Sequence, residues 1–204
     1  MTNTSILSYE QLINTNGVCD LTGIELATLS SFTAMLHRRK PPARYLEIGV
    51  FGGGTMRWLK NVIPGIQCTG VDLFESFTLS ADNTHVSGNY TMQDVQSFVG
   101  QDARLIMGDS SIVLPTLGEE FDVIFIDGNH SYTATRTDLE NSVRLLAKGG
   151  VIAMHNCSIY GSPDWQTYNM VDGGPWQVMI EMMQDDRYVL LSHTDRICVF
   201  ALRA

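Results

Sequence analysis

The sequence predicts an α/β fold: one domain with a mostly parallel, seven-stranded sheet, helices on both faces and a C-terminal antiparallel hairpin. Three observations predict it. Short apolar runs alternate with helical periodicity in a βαβ rhythm, a glycine cluster follows the first apolar run, and the last two runs flank a polar Asp195-Arg196 pair.

In chain order, residues 22–39 place Ile24, Leu26, Ala27, Leu29, Phe32, Met35 and Leu36 at helical spacing, with Thr22 as N-cap and Pro41-Pro42 as the stop. Five β-like runs follow, at Arg44–Ile48, 67–71, Arg104–Met107, Phe121–Ile126 and 151–155. The apolar cores VIFI and VIAM lack polar alternation, as parallel strands covered on both faces require. Helical patterns fill 55–62, Met92–Val99, 110–117 and 132–147, and a last helix spans 175–184 before the apolar runs 188–191 and Ile197–Leu202. Two polar stretches, 75–90 and 156–174, break the rhythm and are expected to act as functional loops. The single domain 1–204 therefore divides into an N-terminal helical segment (1–43), a cofactor-binding core (44–156), a lid loop (157–174) and a C-terminal helix and hairpin (175–204).

Composition narrows the function classes. A chain of 204 residues with 44% hydrophobic and 17% charged residues builds one globular core. A net charge of −9 disfavours nucleic acid and anionic membranes as partners. Cys19, Cys68, Cys157 and Cys198 show no metal or redox spacing, and no apolar run approaches a membrane span, so a cytoplasmic protein is expected.

The strand RYLEI runs into Gly49, Gly52, Gly53 and Gly54 and then into a helix, the context in which a glycine-rich turn holds a ligand. Glu47, two residues before Gly49, opposes a pyrophosphate and suits a cofactor carrying a positive amino group and sulfonium. Asp72 ends the second strand 23 residues after Gly49, where an acid accepts ribose hydroxyls. The alternative is a plain βα turn with a loop-capping Asp72.

Taken together, EIGVFGGGT, GVD, GDS at 108–110, FDVIFIDGNHSY, Asp138-Leu139 and LLAKGGVIAMHN resemble the motifs of Rossmann-like class I S-adenosylmethionine-dependent methyltransferases. The run is similar to the macrocin and mycinamicin sugar O-methyltransferases and to cephalosporin-hydroxylase-like proteins. The resemblance implies that Glu47 and Gly49 hold the methionine part, Asp72 the ribose, and Asp109 with Ser110 the adenine, with Gly52 also against the cofactor. Asp109 and Ser110 also read as a helix N-cap. It further implies that Asp127, at the carboxyl edge of VIFI and beside the cofactor, binds a divalent metal, and that His130 takes a hydroxyl proton. The bland alternatives are a helix-capping His130 and an Asp127 that satisfies turn amides. Where relatives carry acids for Mg²⁺, this chain has His155-Asn156; Asp127, His155 and Asn156 form a poor cage for Mg²⁺, leaving a softer ion or no metal open.

The expected reaction is methyl transfer to a hydroxyl of a small molecule, a sugar, polyketide or other secondary metabolite, in a chain that relatives suggest pairs or tetramerises. Trp165, Tyr168 and Trp176 either close over the acceptor or pack in an interface or core. Tyr132 packs on its helix rather than lining the pocket, and Met170, Met179, Met182 and Met183 read as core fillers. An NAD-dependent oxidoreductase and a non-catalytic cofactor-binding protein are the rival readings.

Overall fold

The apolar runs become the strands of one sheet: β1 (Arg44–Ile48), β2 (Gln67–Asp72), β5 (Arg104–Met107), β6 (Phe121–Ile126), β7 (Leu146–Met154), β8 (Tyr188–Thr194) and β9 (Ile197–Leu202). A separate two-stranded ribbon, β3 (Thr78–Leu79) with β4 (His85–Val86), lies in the stretch expected to be loop. The computed structural model describes residues 19–74, 78–79, 85–86, 90–158 and 173–203. Sheet order is β5-β2-β1-β6-β7-β9-β8, with parallel pairing through β7 and antiparallel pairing of β9 with both β7 and β8. Asp195, at φ 56°, makes the turn of the expected hairpin.

Alternate residues of each strand serve the two faces. Tyr45, Val123, Phe125, Val151 and Ala153 pack beneath α1 (Gly23–Arg39), α2 (Gly54–Val62) and α3 (Met92–Val99). Leu46, Ile48, Ile124, Ile126, Ile152 and Met154 pack on the other side, against α5 (Tyr132–Leu145) and α6 (Gly174–Gln184). Parity therefore decides which helix layer a strand-end side chain meets.

Several boundaries and faces differ from expectation. The buried stripe of α1 is Glu25, Leu26, Leu29, Thr33 and Leu36, whereas Ile24 and Met35 are 55% and 41% exposed. A carboxylate occupies the inward face because buried partners receive it. The helix expected at 110–117 is a short α4 (Ser110–Val113) followed by a 3-10 turn, Leu114–Thr116, since Pro115 has no N–H to continue the α pattern. Helix α5 stops at Leu145 and β7 begins at once, so His155 lies just past the strand rather than in it. Met179 and Met182 are core residues, while Met183 is exposed. Trp165, Tyr168 and Met170 lie outside the described residues. Trp176 packs against the α5–α6 side of the core, 6.5 Å from the His193 ring. Among the described residues no helix is long and apolar enough to cross a membrane.

Candidate active site

The glycine turn after β1 is set by its neighbours. Gly49 has φ +85°, and a Cβ there would fall on the backbone carbonyl of Asp127. The Gly49 N–H donates to Val71 O at 2.9 Å and the Asp127 N–H donates to Ile48 O at 2.8 Å, so the turn and the segment after β6 leave the sheet in contact. Gly53 serves packing of another kind: its Cβ would stand 2.7 Å from Val99 and 2.9 Å from Val95, both on α3. Gly52, just before Gly53 in the turn, is buried too.

Asp72 fastens this turn. Its Oδ2 accepts the N–H groups of Val50 at 2.7 Å and Phe51 at 2.9 Å, and its Oδ1 accepts that of Phe74 at 2.8 Å. Phe51 holds φ 51°, an unfavourable conformation for a side-chain-bearing residue, and the Asp72 bond helps retain it. Three N–H donors leave about one of the roughly four acceptor positions of a carboxylate open.

Glu47 faces the α1–α3 side, 2% exposed, and accepts the Tyr45 hydroxyl at 2.9 Å. Burial pushes its carboxyl well above the ordinary range; the Tyr45 hydrogen bond opposes this, and the charges of Asp127 and Asp72 reinforce it. The linkage has a definite sign. The folded state holds this proton longer than the unfolded state, so the contribution is fully present below the ordinary carboxyl pKa of 4.5 and is lost as pH rises toward the folded value. Glu47→Gln, which mimics the neutral acid, is expected to remove this decline between pH 5 and pH 8. Urea midpoints of both proteins across that range check it, and parallel curves would show that Glu47 does not carry the proton.

At the neighbouring edge Asp109 Oδ1 accepts the Ser111 N–H at 2.8 Å and the Ser111 hydroxyl at 2.7 Å, which makes it the N-cap of α4. Ser110 is half-buried beside it. Leu73, Met107 and Ile112 are 46%, 57% and 70% exposed, and Met107 is the register partner of Asp72. These three apolar residues, placed by the ends of β2 and β5 and by α4, were not singled out from the sequence. For Leu73 and Met107 the signal was an apolar residue directly at a strand end.

The second group gathers around Asp127, whose side chain is 17% exposed. Its Oδ1 lies 3.1 Å from His155 Nδ1 and 3.6 Å from His130 Nε2. Ser131 alone caps α5, so His130 does not serve as the cap. The partners of Asp127 are two imidazoles. Gly174, at the start of α6, donates its N–H to the His130 carbonyl at 3.1 Å and has no room for a Cβ there, which fixes the backbone at His130. Tyr132 leans outward and donates its hydroxyl to Glu181 of α6 at 2.9 Å, bridging from α5.

His155 is 1% exposed, and its Nε2 reaches Glu25 Oε1 at 3.2 Å. Glu25, fully buried on α1, also receives the Thr22 N–H at 2.6 Å, the Arg196 N–H at 3.1 Å and the Arg196 guanidinium at 3.1 and 3.2 Å. Burial alone would raise both carboxyls, yet the imidazoles and Arg196 hold Asp127 and Glu25 down to about 2. Burial would likewise lower His155, but Asp127 and Glu25 lift it to about 10.

The metal expectation is corrected here. His155 has a carboxylate on each ring nitrogen and no lone pair for a cation, and its positive charge repels one. Asn156, at φ 58°, keeps a buried Oδ1 without a hydrogen-bond partner, but with Asp127 it makes only two side-chain ligands, too few to cage a hard cation. Among the described residues no group of three or more His, Cys, Asp or Glu side chains is placed to hold a metal. A divalent cation does not fit Asp127, His155 and Asn156. A cavity of about 300 Å³ lined by Arg44, Gln67, Thr69, Arg104, Glu119 and Phe121 lies where the strands begin, at the opposite end from these groups. Open α/β sheets bind ligands at the carboxyl end, where the glycine turn, Asp72 and Asp127 converge.

The family model for a methyltransferase domain matches residues 46–157, over half of the chain, from the turn strand through the segment after β7. The chain belongs to this methyltransferase family. No curated protein matches this methyltransferase at a significant level. Solved structures share its fold. An O-methyltransferase from Bacillus cereus in complex with S-adenosylhomocysteine (SAH) superposes with a TM-score of 0.64 at 15% identity, covering 95% of this chain and 89% of the other. TomG of Streptomyces achromogenes, an O-methyltransferase of tomaymycin synthesis in complex with S-adenosylmethionine (SAM), gives 0.60 at 16% identity, covering 96% and 86%. MycE from the mycinamycin pathway, in complex with Mg, SAH and mycinamycin VI, gives 0.53 at 21% identity, covering 87% of this chain and 54% of its own. The methyltransferase thus has the class I fold, with β9 running against β7 and β8 at the edge of its sheet.

Proposed function

We propose that this methyltransferase transfers the methyl group of SAM to a hydroxyl of a small-molecule acceptor, with His130 as general base. The observation that carries the reading is the contact between the glycine turn and the Asp127 segment, which puts the His130–Asp127 pair beside the proposed cofactor cleft. Bound SAM supplies a methyl group activated by positive sulfur. The residues fit it. The Glu47 carboxyl, held neutral by burial in the free protein, is drawn toward its charged form by the cofactor's positive charge, the open acceptor position of Asp72 meets a ribose hydroxyl, and Leu73, Met107 and Ile112 offer an apolar shelf for a purine beside Asp109 and Ser110. Gly49 and Gly52 bring backbone close to the methionine part.

In this reading the hydroxyl oxygen bonds to the methyl carbon as the carbon–sulfur bond breaks, its electrons staying on sulfur, and the hydroxyl proton passes to the His130 imidazole. Asp127 stabilises the resulting imidazolium. No step is assigned to a divalent metal. The acceptor class, a hydroxylated secondary metabolite such as a sugar or polyketide, is supported by the tomaymycin and mycinamycin proteins that share the fold.

Calorimetric titration with SAM, SAH and NAD, each with and without Mg²⁺ or Mn²⁺, tests the reading. Binding of SAM and SAH, unaltered by either ion, is expected. NAD binding alone would overturn the role of Glu47 and the methyl-transfer reading of the site, while leaving Asp72 as a ribose acceptor.

A further inference from the structure

The chain His130–Asp127–His155–Glu25–Arg196 joins segments remote in sequence, with Glu25 and His155 130 positions apart. Only its His130 end lies where an acceptor would enter; Glu25 and His155 are at 0% and 1% exposure. Burying ionic groups this completely opposes stability unless each is paired, and here each is. Glu25 serves two ends at once. Its Oε2 takes the Thr22 N–H as the return arm of the α1 capping box, while its Oε1 holds both His155 and Arg196. Capping alone needs no buried residue, since an N3 acid normally faces solvent. The parity of β7 explains the meeting: His155 continues the Val151, Ala153 series toward α1, and Glu25 stands on the inward stripe of that helix. Because carboxylates only accept, a ring with one on each nitrogen must donate from both, so this geometry calls for an imidazolium.

We propose that Glu25 and His155, anchored by Arg196, form a positioning relay that fixes the Asp127 carboxylate toward His130 and keeps a resident cation beside it. The proposal rests on the His130 role given above. Glu25, His155 and Arg196 are positioning residues, since none of them is placed against the reacting atoms. The relay also ties the start of α1 and the β8–β9 turn to the chemistry, so loosening either end is felt at His130.

Imidazole ¹⁵N–¹H spectra of the full chain, free and with SAH, test this. The wild-type protein is expected to show both His155 nitrogens protonated at neutral pH. Glu25→Gln is expected to lose the His155 Nε2–H signal as seen in the wild type and to move the His130 ring signals. Arg196→Lys, the milder variant should Glu25→Gln not fold, moves them the same way by less. A His155 ring with one bare nitrogen, or His130 signals unmoved in a folded variant, overturns the relay. Mn²⁺ that binds the wild-type protein and broadens the His155 signals does so too. SAH that fails to bind while His130 still responds removes the cofactor reading and leaves the relay standing; SAH binding with an unresponsive His130 does the reverse.

Discussion

His130→Ala is expected to lower kcat by about 10²- to 10⁴-fold, the usual range for loss of a general base, with SAH affinity held within about twofold. The division follows from place. His130 sits 3.6 Å from Asp127 and is only partly exposed, beyond the strand end, while the groups proposed to hold the cofactor lie on β1, β2, β5 and α4. That distance is longer than a hydrogen bond, as catalytic contacts often are before a substrate closes the site. Removing the imidazole leaves Ser131 to cap α5 and the Gly174 N–H bonded to the backbone carbonyl at position 130, so the fold has no reason to fail. Single-turnover rates with SAM and a hydroxylated acceptor, beside SAH titration, check both halves. Near-native turnover would remove His130 from the chemistry, and lost SAH affinity would make it a structural residue.

How much of this could be read beforehand depends on whether the causes were local. The strands, the glycine turn and the strand-end acids were legible because period-2 and period-3.6 patterns and glycine spacing act within a few residues. The β8–β9 hairpin was legible for the same reason. Glu25 was not: it breaks the apolar stripe of α1, and its partners come from β7 and the hairpin turn, which no local pattern connects. The capping box Thr22-x-x-Glu25 was visible in the sequence, yet it explains only one of that carboxylate's jobs. His155 was visible too, as a departure from the acids of similar proteins. Its meaning changed because a ligand needs a lone pair, and only the structure shows both nitrogens taken by carboxylates. Asp72 shows a third case. Spacing singled out the residue, but its hydrogen bonds to Val50, Phe51 and Phe74 show that it builds the turn, the role that spacing gave only as the alternative.

Gly49→Ala should be among the most damaging single-methyl changes in the protein, with a loss of about 3 kcal/mol or more of unfolding free energy and loss of SAM and SAH binding. Two effects add. An alanine at φ +85° costs roughly 1–2 kcal/mol in the left-handed region, and its Cβ would overlap backbone atoms of Asp127 and Gly128, which cannot turn aside as a side chain can. Relief requires parting the ends of β1 and β6, where Gly49 N–H to Val71 O and Asp127 N–H to Ile48 O hold the two segments in register. Gly149→Ala supplies the control, since Gly149 has φ +79° and nothing within 4 Å of an added Cβ. That variant should show the conformational cost alone, about 1 kcal/mol, with SAH affinity unchanged. Denaturant unfolding and SAH titration of both variants separate the collision from the backbone cost. Equal losses would mean that Asp127 does not press on the turn, whereas retained SAH binding in a destabilised Gly49→Ala would place the cofactor somewhere other than against this glycine.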